Sequence, residues 1–256
     1  MPKVSVILPA FNASNTVGRA IQSVLRQSFQ DFELIVINDG SRDDTKWKIE
    51  QFHDSRVRCI SQANLGLVAA LRRGIDESNG QYIARIDADD EWEHSDKLRA
   101  QVEYLDTNPD CVLVGTNYTV VRSDGRTVNV APPRDDLAIR RVMLLDATFA
   151  HPTVLFRKVT YHQVGGYRNT HGRYVEDFDL WFRLGRHGTF HILPVFGLRY
   201  FADDNGISRR HLKHQSINTF RLVIANAWDV RRYPSILYAC RKYGWRTIYM
   251  LIHPNS

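Results

Sequence analysis

Asp87-Ala-Asp-Asp90 puts three carboxylates within four positions, with Glu91 and Glu93 close behind. Like charges this close repel unless something positive joins them. A hard divalent cation, Mg²⁺ or Mn²⁺, is the usual answer, because it prefers carboxylate oxygens and shares its shell with substrate phosphates. A solvated acidic turn leading into a helix near Ser95 is the other reading. Position favours the cation: Tyr82, Ile83 and Ile86 form a strand-like run that ends in these aspartates, and open α/β sheets bind ligands at the carboxyl ends of their strands.

Other residues carry chemistry of their own. Asp39, between Asn38 and Gly40-Ser41, can accept the imino N–H of a uracil or thymine ring, or simply cap the turn before Asp43. Asn64 and Gly66 can contact base and ribose, or form a helix N-cap and turn. Glu176-Asp177 opens a helix with Leu180, Trp181 and Leu184 on its apolar face. A carboxylate in the first turn is favoured by the helix dipole and is expected to stay ionised, which suits a general base and equally a capping acid. His151, before a short strand, reads first as a hydrogen-bonded structural residue and second as an acceptor contact.

The elements that must position these residues follow from periodicity. Val4 to Leu8, Phe32 to Ile37 and Val57 to Ile60 are apolar runs of strand length, the first two typical of strands covered on both faces. Between them, Val17, Ala20, Ile21, Val24 and Leu25 fall at helical spacing with Ser14 as cap, and a second helix is expected over about 43 to 52. Leu67, Ala70, Leu71 and Ile75 mark a third. This alternation through residue 110 predicts βαβ units and a parallel sheet. Beyond it the pattern is mixed: strands 111–115 and 118–122, a turn at 123–126, strand 127–130, a helix from Leu137 to Leu145, strand 153–157, a helix from Glu176 to Gly188, and an extended stretch 190–201. Two basic helices, about 213–229 and 235–251, close the chain.

The 256 residues carry 43% hydrophobic and 24% charged side chains, ordinary for a globular protein of one large domain. The net charge of +6 favours anionic partners, but zinc spacing and RNA-binding aromatic signatures are missing, so nucleic acid is not expected. Cys59, Cys111 and Cys240 form no Cys-x-x-Cys pair, which fits a reducing compartment. No stretch approaches the roughly 18 apolar residues of a membrane span, so a cytoplasmic location is expected. No Walker loop or Gly-x-Gly-x-x-Gly follows the first strand, against ATPase and dinucleotide readings.

In order along residues 3 to 205, Val6-Ile-Leu-Pro-Ala-Phe-Asn12, Val36-Ile-Asn-Asp-Gly-Ser41, Gln62-Ala-Asn-Leu-Gly66, Ile86-Asp-Ala-Asp-Asp90, His151-Pro-Thr-Val-Leu-Phe-Arg157, Gly165-Gly-Tyr167 and Glu176-Asp-Phe-Asp-Leu-Trp-Phe-Arg183 resemble glycosyltransferase family 2. The resemblance implies a GT-A fold: a Rossmann-like, mostly parallel sheet flanked by helices, with a nucleotide-sugar half (1–110), a mixed acceptor half (111–205) and a basic helical extension (206–256). It implies that Pro9, Ala10, Phe11 and Asp39 hold the nucleoside, with Asn64, Gly66, Arg72, Asp87 and Ala88 lining the nucleotide site. Asp89 would ligate Mn²⁺ or Mg²⁺, Asp177 would be the base, and His151, Glu176 and Trp181 would meet the acceptor or the donor sugar. Relatives often carry Arg-Asn where this chain has Arg72-Arg73, so only Arg72 is carried over; the Gln-x-x-Arg-Trp motif of processive synthases is missing.

The implied activity is an inverting, metal-dependent, single-sugar transfer from a nucleotide-sugar, UDP-sugar first and dTDP-sugar next. The acceptor would be a glycan or a polyprenyl-diphosphate-linked one, in bacterial surface polysaccharide synthesis. A catalytically silent nucleotide-sugar-binding scaffold and a sugar nucleotidyltransferase are the rival readings; the second would need a Gly-rich, cationic triphosphate loop that Pro9-Ala-Phe-Asn12 is not. Tyr238, Tyr243, Trp245 and Tyr249 interleave with Arg241, Lys242 and Arg246. That pattern reads either as a peripheral contact with the inner face of the membrane or as a helix packed on the domain.

Overall fold

The structure, a computed structural model, describes residues 1–143, 148–170, 174–202 and 212–225, together with Arg241 and Gly244. Strands β1 (Val4–Ala10), β2 (Phe32–Asp39), β3 (Val57–Gln62) and β4 (Tyr82–Arg85) pair in parallel in the order β3-β2-β1-β4. The helices α1 (Val17–Leu25), α2 (Thr45–Glu50) and α3 (Leu67–Asp76) cross between them. A short β5 (Glu91–Trp92) and α4 (Lys97–Thr107) lead into the mixed half. There β6 (Cys111–Val121) carries β7 (Thr127–Val130) as an antiparallel edge, and α5 (Asp136–Val142) follows. Then come β8 (Leu155–Arg157), α6 (Lys158–Gln163), α7 (Glu176–Leu184) and β9 (Thr189–Phe201). The sheet continues β4-β8-β6-β9-β5, with β8 antiparallel to both neighbours and β9 parallel to β6. A last helix, α8 (Leu212–Ala225), lies within the first of the two basic helices expected; the second falls outside the described residues.

Strand alternation divides the core. Val4, Val6, Leu8, Leu34, Val36, Tyr82 and Ala84 face the α1 side, whereas Ile7, Ile35, Ile37 and Ile83 face α3 and α7. Every β1 residue is buried, which is why that strand reads as an unbroken apolar run. On the α7 side, Trp181 meets Phe149, Phe156 and His151 edge-on at ring centroid distances of 6.1, 6.2 and 5.5 Å, the arrangement ring quadrupoles favour.

The structure corrects several local expectations. Ser14 does not cap α1: the N-cap is Thr16, without a side-chain bond, and the Ser14 amide instead donates to Asp43 Oδ2 at 3.0 Å. Residues 111–121 are one strand, because β6 pairs with β9 through register shifts that absorb Gly115 to Asn117 without breaking it. His151–Thr153 is a 3₁₀ turn, so the strand behind it starts only at Leu155. The helix after Glu176 ends at Leu184 with Gly185 as its C-cap. The short strand β5 and helix α6 are additions that the periodicity did not indicate, whereas the extended stretch 190–201 is β9.

Phe156, fully buried in the aromatic cluster, should cost about 3–5 kcal/mol as Phe156→Ala. Val159→Ala on exposed α6 should stay within about 0.5 kcal/mol. Denaturant unfolding of the two variants checks the difference.

Candidate active site

Parallel register sets the site. Ile7 pairs with Arg85 and Pro9 with Ile37, and the Ile86 amide still donates to Ile7 O at 3.1 Å. Asp87 therefore leaves β4 level with the end of β1, where Pro9 and Ala10 are buried and Phe11 stands 48% exposed.

The loops beyond the strands are stitched together. The Asn12 amide donates to Ser41 Oγ at 3.0 Å and Asn12 Oδ1 accepts from the Arg42 amide at 2.9 Å. Asp39 Oδ1 accepts from Gln62 Nε2 at 2.7 Å and the Leu65 amide at 3.0 Å, and Oδ2 from the Gly66 amide at 2.8 Å. Asp39 thus serves the loop before α3 rather than the turn at Asp43, where Asp43 binds Thr45 and Ser14 for itself. A Cβ on Gly40 would meet the Asn64 amide nitrogen at 2.6 Å, and its φ of +72° is left-handed, so glycine is required where the two loops touch. Asn64 is exposed and caps nothing; the N-cap of α3 is Gly66, at φ +88°. Arg72 is exposed further along α3 and joins no ion pair among the described residues, while Arg73 pairs with Glu77.

One oxygen each of Asp87, Asp89 and Asp90 lie within 4.8 Å of one another. Asp90 is fully buried; its Oδ1 accepts from the Phe201 amide at 3.0 Å, and its Oδ2 has no partner. Burial and the Asp87 and Asp89 charges hold its carboxyl well above the usual range. Asp89 is exposed, yet desolvation of its carboxyl in the crowded loop and then the Asp87 charge push it up to about 6. The donor set is all oxygen, one buried oxygen is unpartnered, and the groups repel, so the cluster fits a hard divalent cation. Arg19 Nη2 holds the Asp89 carbonyl at 2.6 Å while its guanidinium lies 3.7 Å from the Phe201 ring centre.

The sequence reading passed over Arg85. Its side chain is 3% exposed, both terminal nitrogens grip Asp87, and its Nε has no partner. An arginine inside an otherwise apolar strand, two residues before an aspartate, was the available signal. Its positive field reaches His151, Tyr167 and Asp177, which joins the two halves of the site.

On α7, Asp177 departs from the ionised state expected of a first-turn carboxylate. Burial, then the neighbouring Glu176, push it up to about 7, against the pull of the Phe178 amide (2.8 Å) and Arg85. Desolvation outweighs the dipole here. His151 Nε2 lies 2.6 Å from the Tyr167 hydroxyl, and burial with Arg85 nearby keeps the imidazole neutral. Trp181 is 1% exposed, so its indole forms the floor of the site and offers no open face.

Residues 5–165 match the family model described as Glycosyl transferase family 2. EpsE of Bacillus subtilis (strain 168) is 33% identical over 193 residues, 73% of this chain and 68% of EpsE. UDP-Glc:alpha-D-GlcNAc-diphosphoundecaprenol beta-1,3-glucosyltransferase WfgD of Escherichia coli is 33% identical over 122 residues, 47% of each chain. Among solved structures, S. aureus TarS 1-349 in complex with UDP-GlcNAc superposes with a TM-score of 0.70 at 16% identity, over 87% of this chain and 66% of that one. Mannosyltransferase PcManGT from Pyrobaculum calidifontis, in complex with GDP-Man and Mn2+, superposes at 0.67 and 19% identity, over 94% and 75%. These likenesses at low identity establish the GT-A fold.

Asp90→Asn keeps an acceptor for the Phe201 amide and removes a charge that burial disfavours. A carboxylate held above its ordinary range costs stability at neutral pH. The variant should therefore melt higher than the parent without metal at pH 7, while binding Mn²⁺ more weakly; calorimetric melts with and without Mn²⁺ check both signs.

Proposed function

The chain belongs to glycosyltransferase family 2, and from that premise we propose that it moves one sugar, with inversion, from a nucleotide-sugar to a glycan or polyprenyl-diphosphate-linked acceptor. UDP-sugar is the favoured donor, since WfgD is named for UDP-Glc and TarS was solved with UDP-GlcNAc. WfgD's name also carries the lipid-linked acceptor. The observation that carries the reading is the pairing of an acidic, cation-fitting cluster at the end of β4 with a carboxylate poised near neutral pH on α7.

Pro9, Ala10, Phe11, Asp39, Asn64, Gly66, Arg72 and Ala88 would line the nucleotide, with Asp87 toward its ribose. Asp89, with Asp87 and Asp90 beside it, would hold Mn²⁺ or Mg²⁺, which when bound offsets by several kcal/mol the charge that builds on a leaving diphosphate. Asp177 takes the proton from the acceptor hydroxyl as that oxygen bonds to the anomeric carbon. The bond from that carbon to the diphosphate oxygen breaks, and its electron pair leaves with the diphosphate. One displacement from the face opposite the leaving group inverts the centre. Glu176 raises the basicity of Asp177, and a base near neutrality is well matched to its task. His151, neutral and fixed by Tyr167, and Trp181 beneath it shape the floor for the acceptor. No helix among the described residues is long and apolar enough to cross a membrane. The lipid-linked acceptor would then be met from the inner membrane face through the basic C-terminal segment.

Calorimetric titration with UDP, GDP and dTDP, with Mn²⁺ and with chelator, tests the donor site. Metal-dependent binding of one nucleotide, lost in Asp89→Ala, is expected; no metal-dependent binding of any would leave the silent-scaffold reading ahead. Release of the nucleoside diphosphate from the matching nucleotide-sugar in a separate turnover assay would exclude that scaffold. Asp177→Asn should lower kcat by about 10²–10⁴ while nucleotide binding persists. Below an inflection near pH 7, kcat/KM should fall about tenfold per unit as Asp177 protonates. Glu176→Gln removes a negative neighbour, so that inflection should move to lower pH.

A further inference from the structure

Arg85 takes no part in the displacement, yet its guanidinium is confined between the donor loop and the acceptor floor. We propose that Arg85 is a positioning residue: its fork sets the Asp87 carboxylate and holds the donor loop preformed before nucleotide or cation arrives. The inference deepens the donor-site reading above and rests on it.

The root of the side chain cannot drift. Arg85 is in register with Ile7 of the central strand, and by strand alternation it shares a face with buried Ile83. Its two terminal nitrogens reach the two oxygens of Asp87, a two-point contact that fixes the carboxylate plane as well as its distance. Each of those oxygens keeps a second lone pair for ribose or cation. An arginine cannot shed its charge when buried, and its Nε donor is unpartnered. A guanidinium kept at such a cost is explained by what it orients. Asp87, Asp89 and Asp90 outnumber it three to one, so Arg85 arranges the cluster without displacing the cation that the remaining charge attracts. Lysine would keep the charge but not the fork.

The test uses the full chain as parent, Arg85→Lys and Arg85→Gln. It reads melting temperature, Mn²⁺ affinity by electron paramagnetic resonance, UDP affinity by calorimetry in saturating Mn²⁺, and donor KM and kcat. Expected is an Arg85→Lys variant that melts close to the parent, binds UDP at least tenfold more weakly even in saturating Mn²⁺, and raises donor KM more than it lowers kcat. If Arg85→Lys binds UDP within twofold of the parent, the inference is overturned while the donor site stands. If instead the parent binds no nucleotide, the donor-site reading falls and takes this inference with it. Should both variants unfold, Asp87→Asn is read with pyrophosphate in saturating Mn²⁺, a ligand with no ribose for Asp87 to bind: tenfold weaker binding supports the preformed loop, and undiminished binding sinks it.

Discussion

A guanidinium taken out of water at the end of a central strand constrains what surrounds it. Arg85 cannot be neutralised, so the folded chain has to keep a carboxylate against it, and Asp87 is that carboxylate. The acidic loop is pinned at its start by this pair, in its middle by Arg19 on the Asp89 carbonyl, and at its end by the Phe201 amide on Asp90. A segment with that much like charge would splay in solution. Here three separate elements, β4, α1 and β9, hold it in one conformation.

The same constraint organises the acceptor side. Arg85 shares its strand face with the α7 core, and its field falls on Asp177, His151 and Tyr167. For Asp177 two opposed influences compete: burial and Glu176 favour the protonated form, while Arg85 and the Phe178 amide favour the anion. The balance leaves Asp177 near neutrality, well above an exposed first-turn aspartate. For His151 burial and Arg85 act in the same direction, and the ring stays neutral beside Tyr167.

The parallel half was legible because its physics is local in sequence. Strands covered on both faces need continuous apolar runs, and Val4 to Leu8 or Phe32 to Ile37 can hardly be anything else. The acidic loop was legible for a similar reason, since Asp87, Asp89 and Asp90 are neighbours in the chain. What escaped was set by partners far away: Asp39 bonding to the loop at Leu65 and Gly66, or β5 existing only because β9 passes beside it. Asp177 shows the limit most clearly. Its sequence context, a helix N-terminus, argued for a stable anion, and burial supplied by the tertiary fold, with the Glu176 charge beside it, reversed that.

That reversal bears on how one fold serves donor and acceptor differently. The loops beyond β1 and β2 are held by side chains on main-chain amides and hydroxyls and by one close backbone approach: Asn12 with Ser41 and Arg42, Asp39 under Leu65 and Gly66, and Gly40 against Asn64. Such contacts tolerate little change, and they shape a surface suited to a constant ligand part such as a nucleoside diphosphate. The floor beside α7 is built from packed rings, those of Trp181, His151, Tyr167 and Phe149. Arg85 stands between the two, rooted in β4 and acting electrostatically on the floor.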